Sequence, residues 1–317
     1  MKFTFATTVS ALVLGAAVSA SAEEVTLRAA VFTATNTTWG APFKIFADHV
    51  NEVGAGEVKI DIVGPEALPA TEQPNALRDG LIDIAVTVPG HYKQIVPEAN
   101  AQDLSDMTLE EQRASGGYAL LQDVIRDNLG AELLTSYGPG VKFHLYLTEE
   151  ISDASQLDGM RIRSQPLFNP FLDSLGVSQM TLPIPDVYTA LERGVVQGYA
   201  FPAWGIQDLG WDKMTKVRLE PGFYNVVVNV LMNEDRWQGL TEAQRQVLSD
   251  SVAWFETTMQ GYMADLSEQN AAAQDAAGIT PVDLGPEFAE QASNVYWDEL
   301  EQVSPEAIPA LRAKLMK

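Results

Sequence analysis

The stretch SDASQLDGMRIRSQPLFNPFLDSLGVSQMTLPIPDVYTALERGVVQGYAFP, Ser152 to Pro202, decides how this chain is read. Its MRIRS run has strand character. With period 2, Met160, Ile162 and Ser164 point one way while Arg161 and Arg163 share the other face. NPFLDSLGV then reads as a short helix with Asn169 as N-cap and Pro170 in the first helical position. PDVYTALERG reads as a second, running from Asp186 to a terminating Gly194. Two guanidinium groups on one strand face need an explanation in a chain this poor in cations: it has Lys+Arg 20 against Asp+Glu 43 and a net charge of −23.

Upstream, VTLRAAVF (Val25–Phe32) alternates as a strand and breaks into a polar turn carrying Trp39. APFKIFADHVNEVG spaces Phe43, Phe46, Val50 and Val53 as one helix face and stops at Gly54. EVKIDIVGP is a strand closed by Gly64-Pro65, ATEQPNALRDG a short helix, and LIDIAVTV another strand. This β-α-β-α-β opening predicts an α/β fold with mixed sheets and covering helices. Ligands on such sheets bind at the carboxyl ends of strands, which singles out the loops Thr33–Trp39 and Pro89–Tyr92. Downstream, the chain reads as helical from about Thr108 to Asp127, with VKFHLYL a strand and FYNVVVNVLMN a run of strand character. Thr241 to Gln244 (TEAQ) form a capping box. It opens a long helix through Val247, Leu248, Val252, Phe255, Met259 and Met263, ending near Gly278.

Residues 1–22 read as a secretory signal: Lys2, an apolar run, and Ala20-Ser21-Ala22 before Glu23. No apolar run is long enough to span a bilayer. The chain has no cysteine, hence neither disulfides nor a lipid-bearing cysteine at the cleavage site. An exported, unanchored periplasmic protein is expected. About 295 residues then remain, enough for two lobes, since single cores stop growing near ~250–300 residues. The expected division is 23–145 mainly lobe 1, 146–235 mainly lobe 2, and 236–317 a long helix and C-terminal segment bracing both. The acidity disfavours nucleic acid and anionic membranes as partners. His49, His91 and His144 fall at no metal-ligand spacing, so no metal or cofactor is expected. No nucleophile elbow, zincin, P-loop or dinucleotide motif occurs, which argues against an enzyme.

A guanidinium is the natural anchor for a carboxylate: it stays charged and offers a planar pair of donors. Arg163 sits at the strand end, before the Asn169 helix, whose N-terminus adds favourable potential for an anion. Arg161 lies deeper and has Asp158 or Glu192 as acidic neighbours to pair with. On spacing alone, either arginine equally suits a surface salt bridge worth ~0–1 kcal/mol.

The same stretch resembles the signature of the solute-binding proteins of tripartite ATP-independent periplasmic (TRAP) transporters, the DctP-like family. The matching elements are Leu157–Arg163, Leu175-Gly176-Val177 and Asp186–Gly198. Weaker likenesses are GLIDIAV at Gly80–Val86 and the MNEDRWQGLTEAQRQVL entry to the long helix. The resemblance covers essentially the whole chain after the signal. It implies a two-lobed α/β protein that closes on a small organic acid and delivers it to small and large integral membrane subunits. A monomer is expected. The resemblance also implies that the last arginine of the Arg-Ile-Arg run, Arg163, holds the ligand carboxylate.

Departures from the family pattern suggest the pocket's character. The family's asparagine position reads Phe201, and the position of a second arginine reads Lys142. Positions that are polar or aromatic in binders of hydroxylated acids read Phe32, Val88 and Ile184. Such walls leave ligand hydroxyls unpaired, at ~1–3 kcal/mol each, and suit a ring or alkyl body. The expected ligand is a monocarboxylate with an apolar or aromatic body. Phe201, Tyr199, Trp204, Trp39 and Phe223 are candidate walls, with Tyr224 and Asn225 as polar contacts. The alternatives are a C4-dicarboxylate whose second carboxylate meets Lys142, a periplasmic lyase or hydrolase acting on organic acids, and a ligand sensor.

Overall fold

The computed structural model describes residues 23–317, so the expected signal segment lies outside the described residues. Twelve strands form two sheets. They are β1 Val25–Val31, β2 Val58–Val63, β3 Ile84–Thr87, β4 Ala131–Tyr137, β5 Lys142–Leu147, β6 Arg161–Ser164, β7 Ser178–Thr181, β8 Gly198–Pro202, β9 Val217–Glu220, β10 Phe223–Asn225, β11 Val228–Asn233 and β12 Thr280–Asp283. The first sheet runs β2-β1-β3-β11-β4, and the second β12-β9-β5-β8-β6-β7 with β10 paired to β5. Both are mixed: β1 is parallel to β2 and β3, β11 is antiparallel to β3 and β4, and β6 is parallel to β7 and β8. This is the two-lobed α/β architecture that the sequence predicts.

The chain passes from the first sheet to the second between Tyr137 and Lys142. It returns between Asn225 and Val228. The run FYNVVVNVLMN is therefore two strands in two sheets, broken where the chain changes lobe. These crossings lie back to back: a Cβ on Gly138 would sit 2.5 Å from the Val226 carbonyl oxygen. Strand β4 carries no alternating pattern because six of its seven residues are buried, so periodicity gives no sign of it. The helical middle is two helices, Leu109–Ala114 and Gly117–Leu129.

The long helix spans Glu242–Ala276, and Thr241 and Gln244 cap each other reciprocally as the sequence predicts. Its first half packs on the first lobe, Phe255 meeting Phe46 and Tyr137 edge-on. Its last turns reach the second lobe, where Gln274 bonds the Ala203 carbonyl and Arg218. Asn169 differs from its expected role. A 3₁₀ turn over Pro166–Phe168 precedes the Asn169–Ser174 helix, so Asn169 is already helical. Its Oδ1 accepts from Ser164 Oγ at 2.9 Å instead of capping.

Candidate functional site

Strand β6 lies inside the second sheet, between β7 and β8, and its burial rises along its length. Arg161 is exposed while Arg163 is 1 % exposed. Arg161 does not pair with Asp158 or Glu192 as its sequence neighbourhood suggests. Its Nε and Nη2 donate to the carbonyls of Val195 (2.8 Å) and Gly194 (3.0 Å), just past the Ile184–Glu192 helix. Those carbonyls belong to the turn that leaves the helix end, so the guanidinium is satisfied structurally.

Arg163 has only neutral acceptors. Nε donates to Leu182 O at 3.0 Å and Nη1 to Ala200 O at 3.4 Å. Among the described residues no carboxylate forms an ion pair with it, and burial alone lowers its pKa to about 10. It therefore stays a cation at neutral pH, largely removed from water. Its Cζ lies 6.0 Å over the ring of Trp211, which is also 4.8 Å from the ring of Phe201. The β6–β8 register pairs Arg163 with Tyr199, which puts Arg163, Tyr199 and Phe201 on one sheet face. Arg163 and Phe201 thus share a backing residue that the sequence reading does not pick out; a lone Trp211 opening a short 3₁₀ turn gives no signal.

On the first lobe, the carboxyl ends of β1 and β3 carry two further candidates. Phe32 and Val88 follow those strands, both half-buried, and the ring of Phe32 stands edge-on to His91 at 6.0 Å. His91 bonds Thr87 Oγ1 at 3.0 Å and burial lowers its pKa to about 4, so it is neutral at pH 7. A cleft of about 450 Å³ opens beside it, lined by Thr71, Asn75 and the Gly90–Ile95 segment on one side. Pro166, three residues beyond Arg163, closes it from the second lobe.

The other sequence candidates have surroundings of their own. Tyr199 has no exposed surface, stacks on Tyr146 and bonds Thr215 through its hydroxyl. Phe223 is buried against Phe168, Phe171 and Phe288. The Tyr224 hydroxyl donates to Ala292 O, and the Asn225 amide bonds Ser105 O while its oxygen accepts from Gly140 N. Trp39 and Trp204 stack on each other at 5.0 Å. These six side chains are engaged by the protein itself. Ile184 is 40 % exposed at its helix start. Lys142 lines a separate cavity of about 210 Å³ with Asp103, Asp106 and Glu290. Burial lowers its pKa, with Asp106 opposing.

Residues 29–303 match the bacterial extracellular solute-binding proteins of family 7, DctP. The chain belongs to this family. A curated relative, the monocarboxylate 2-oxoacid-binding periplasmic protein of Nostoc sp. strain PCC 7120, is 22 % identical over 81 % of this chain and 73 % of its own length. Solved structures of similar fold include a TRAP periplasmic solute-binding protein from Sulfitobacter sp. NAS-14.1 with bound β-D-galacturonate. It has a TM-score of 0.80 and 16 % identity, and the match covers 92 % of this chain and 99 % of that one. Another, from a marine metagenome, is a TRAP solute-binding protein specific for aromatic acid ligands. It has a TM-score of 0.76 and 20 % identity, covering 92 % and 98 %. Proteins of this family are transport proteins, and the Nostoc and Sulfitobacter proteins are periplasmic. No helix among the described residues is long and apolar enough to cross a membrane.

Proposed function

We propose that this protein is the solute receptor of a TRAP transporter for a small monocarboxylate with an apolar or aromatic body. Exported by a cleavable signal and free of a lipid anchor, it hands its cargo to the small and large membrane subunits. Arg163 makes the charge-assisted pair with the ligand carboxylate, and Phe201, backed by Trp211, forms the adjacent wall. Phe32 and Val88 approach from the first lobe. One observation carries the reading: a buried guanidinium with no acidic partner among the described residues, in a chain of net charge −23. An uncompensated buried charge is costly, and an incoming carboxylate with two acceptor oxygens relieves that cost. Lobe closure around such a ligand follows, because only contacts made on both sides shift the population closed.

The dicarboxylate alternative depends on Lys142. That ammonium shares its cavity with Asp106 and Glu290, whose field opposes a second carboxylate, and with Asp103, whose carboxyl burial pushes well above its ordinary pKa. The curated relative's 2-oxoacids and the metagenomic neighbour's aromatic acids are of the same chemical kind as the ligand proposed. The test is a thermal-shift and calorimetric screen of phenylacetate, benzoate and branched 2-oxo acids against succinate, malate and galacturonate. Stabilisation by one of the first group, without turnover over hours, supports the proposal. Strong stabilisation by succinate or malate, with none by the monocarboxylates, overturns it.

A further inference from the structure

Trp204 and Ile206 are two residues apart, yet they are buried in different cores. Trp204 belongs to the core of the first sheet, with Trp39, Phe43, Tyr137 and Val226. Ile206 belongs to a smaller core on the second sheet, with Phe201 and Trp211. The chain leaving β8, the strand that carries Phe201, thus plugs a tryptophan into the opposite lobe and returns. Between the two stands Gly205 at φ 91°, a conformation L side chains rarely adopt.

Both sides of this passage are held. On the first lobe, Trp39 packs against Trp204 and against the crossing at Gly138. The long helix bonds the passage three times: Ser267 accepts from Trp204 Nε1, Asn270 from Gly205 N, and Gln274 donates to Ala203 O. Farther along, the Asp208 carboxylate accepts from Thr38 N (3.1 Å) and Thr38 Oγ1 (2.7 Å), tying the loops after β1 and β8 together. Any rotation of one sheet against the other must be absorbed between these two anchorages.

We infer that Gly205 is a hinge point additional to the two strand crossings, and that the Thr38–Asp208 clasp limits its swing. Movement of β8 around a bound molecule is thereby transmitted to Trp204 through a single flexible residue. The hinge rests on the two cores and not on the identity of the ligand.

The absence of cysteine allows clean labelling of Glu52→Cys and Glu192→Cys, exposed positions on the two lobes. Pulsed EPR then gives the interlobe distance distribution in ligand-free protein. Hydrogen exchange reports on residues 138–141 and 226–227. Asp208→Ala should broaden the distribution and speed exchange at both crossings about fivefold, the scale of one ordinary hydrogen bond, because both Thr38 contacts are exposed and water replaces part of them. Gly205→Ala should shift and narrow the distribution, because a Cβ has room there, its nearest neighbour Thr38 Cβ lying 3.7 Å away, and only the backbone angle resists. Gly130→Ala is the control: φ is also positive (66°), space is open, and it lies at a helix end away from the crossings. The inference is overturned if Asp208→Ala and Gly205→Ala both leave distances and exchange as in the parent, or if Gly130→Ala moves them equally. Should Gly205→Ala not fold, the Asp208→Ala result decides alone.

Discussion

At one end of β6, Arg161 lies in water and rests on carbonyls that trail from a helix terminus. Two residues on, Arg163 is enclosed between neighbouring strands, holding two neutral carbonyls and the face of a tryptophan. Residue type, strand and sheet face are the same; what differs is the solvent. Exposed, a guanidinium and its partners contribute less than about 1 kcal/mol. Enclosed without an acid, the same group is a standing cost that a suitable anion removes. The proposed ligand contact falls at the end where the charge is stranded.

The severest test of that contrast is removal of the stranded charge. Arg163→Met should abolish measurable monocarboxylate binding, and Arg163→Lys should weaken it by about 100-fold or more, since an ammonium cannot reproduce the planar fork. Ligand-free Arg163→Met should melt at the parent temperature or above, because an apolar replacement lifts the burial cost. Calorimetry and thermal melts read both quantities. Retained affinity in Arg163→Lys breaks the contrast.

Burial acts on His91 of the first lobe too, with a different result. It lowers Arg163 to about 10 and His91 to about 4, each below its ordinary value. The arginine stays charged at any physiological pH while the histidine loses its charge. Above pH 6.5 His91 is neutral whether folded or unfolded, so it costs nothing. As pH falls from 6.5 to 4 the unfolded chain takes up its proton first, and stability drops by at most about 3 kcal/mol, levelling below 4. Denaturant melts across that window measure it, and His91→Gln should flatten that limb.

These environments were unevenly legible in the sequence. The alternation in Val25–Phe32 and Glu57–Pro65, the spacing of Phe43, Phe46 and Val50, and the Thr241–Gln244 box report local geometry, and the α/β fold follows from them. Spacing alone left Arg161 and Arg163 equivalent. The motif resemblance separated them, since burial at the inner end of β6 depends on β7 and β8, which arrive from elsewhere in the chain. Aromatic content does not by itself mark a ligand wall. Tyr199, Phe223, Trp39 and Trp204 meet other rings, and nothing local distinguishes a ring facing a ring from one facing a ligand. The acceptors of Arg163 are backbone carbonyls, which leave no mark on residue identity.

Phe201 probes the apolar side of the enclosed end. Asn at this position replaces a ring in contact with Trp211 by an amide able to meet a hydroxyl. Phe201→Asn should lose about tenfold in affinity for the apolar monocarboxylate, near 1.4 kcal/mol for ring burial and one aromatic pair. Hydroxylated acids should gain relative to it. Parallel titrations with an apolar acid and its hydroxylated analogue decide the point. An unchanged ratio between the two places the wall elsewhere.

The smallest effect belongs to Arg161, and its smallness is the point. Arg161→Ala removes two bonds to the Gly194 and Val195 carbonyls, both solvent-reachable and able to take water instead. Stability should fall by about 0.3–1 kcal/mol, the range for a cation at a helix C-terminus, and ligand affinity should stay within about twofold. High salt should reduce even that stability difference, because screening acts on exposed charges far more than on enclosed ones. A loss of affinity comparable to that of Arg163→Lys would mean that both ends of β6 serve the ligand, and that enclosure does not divide them.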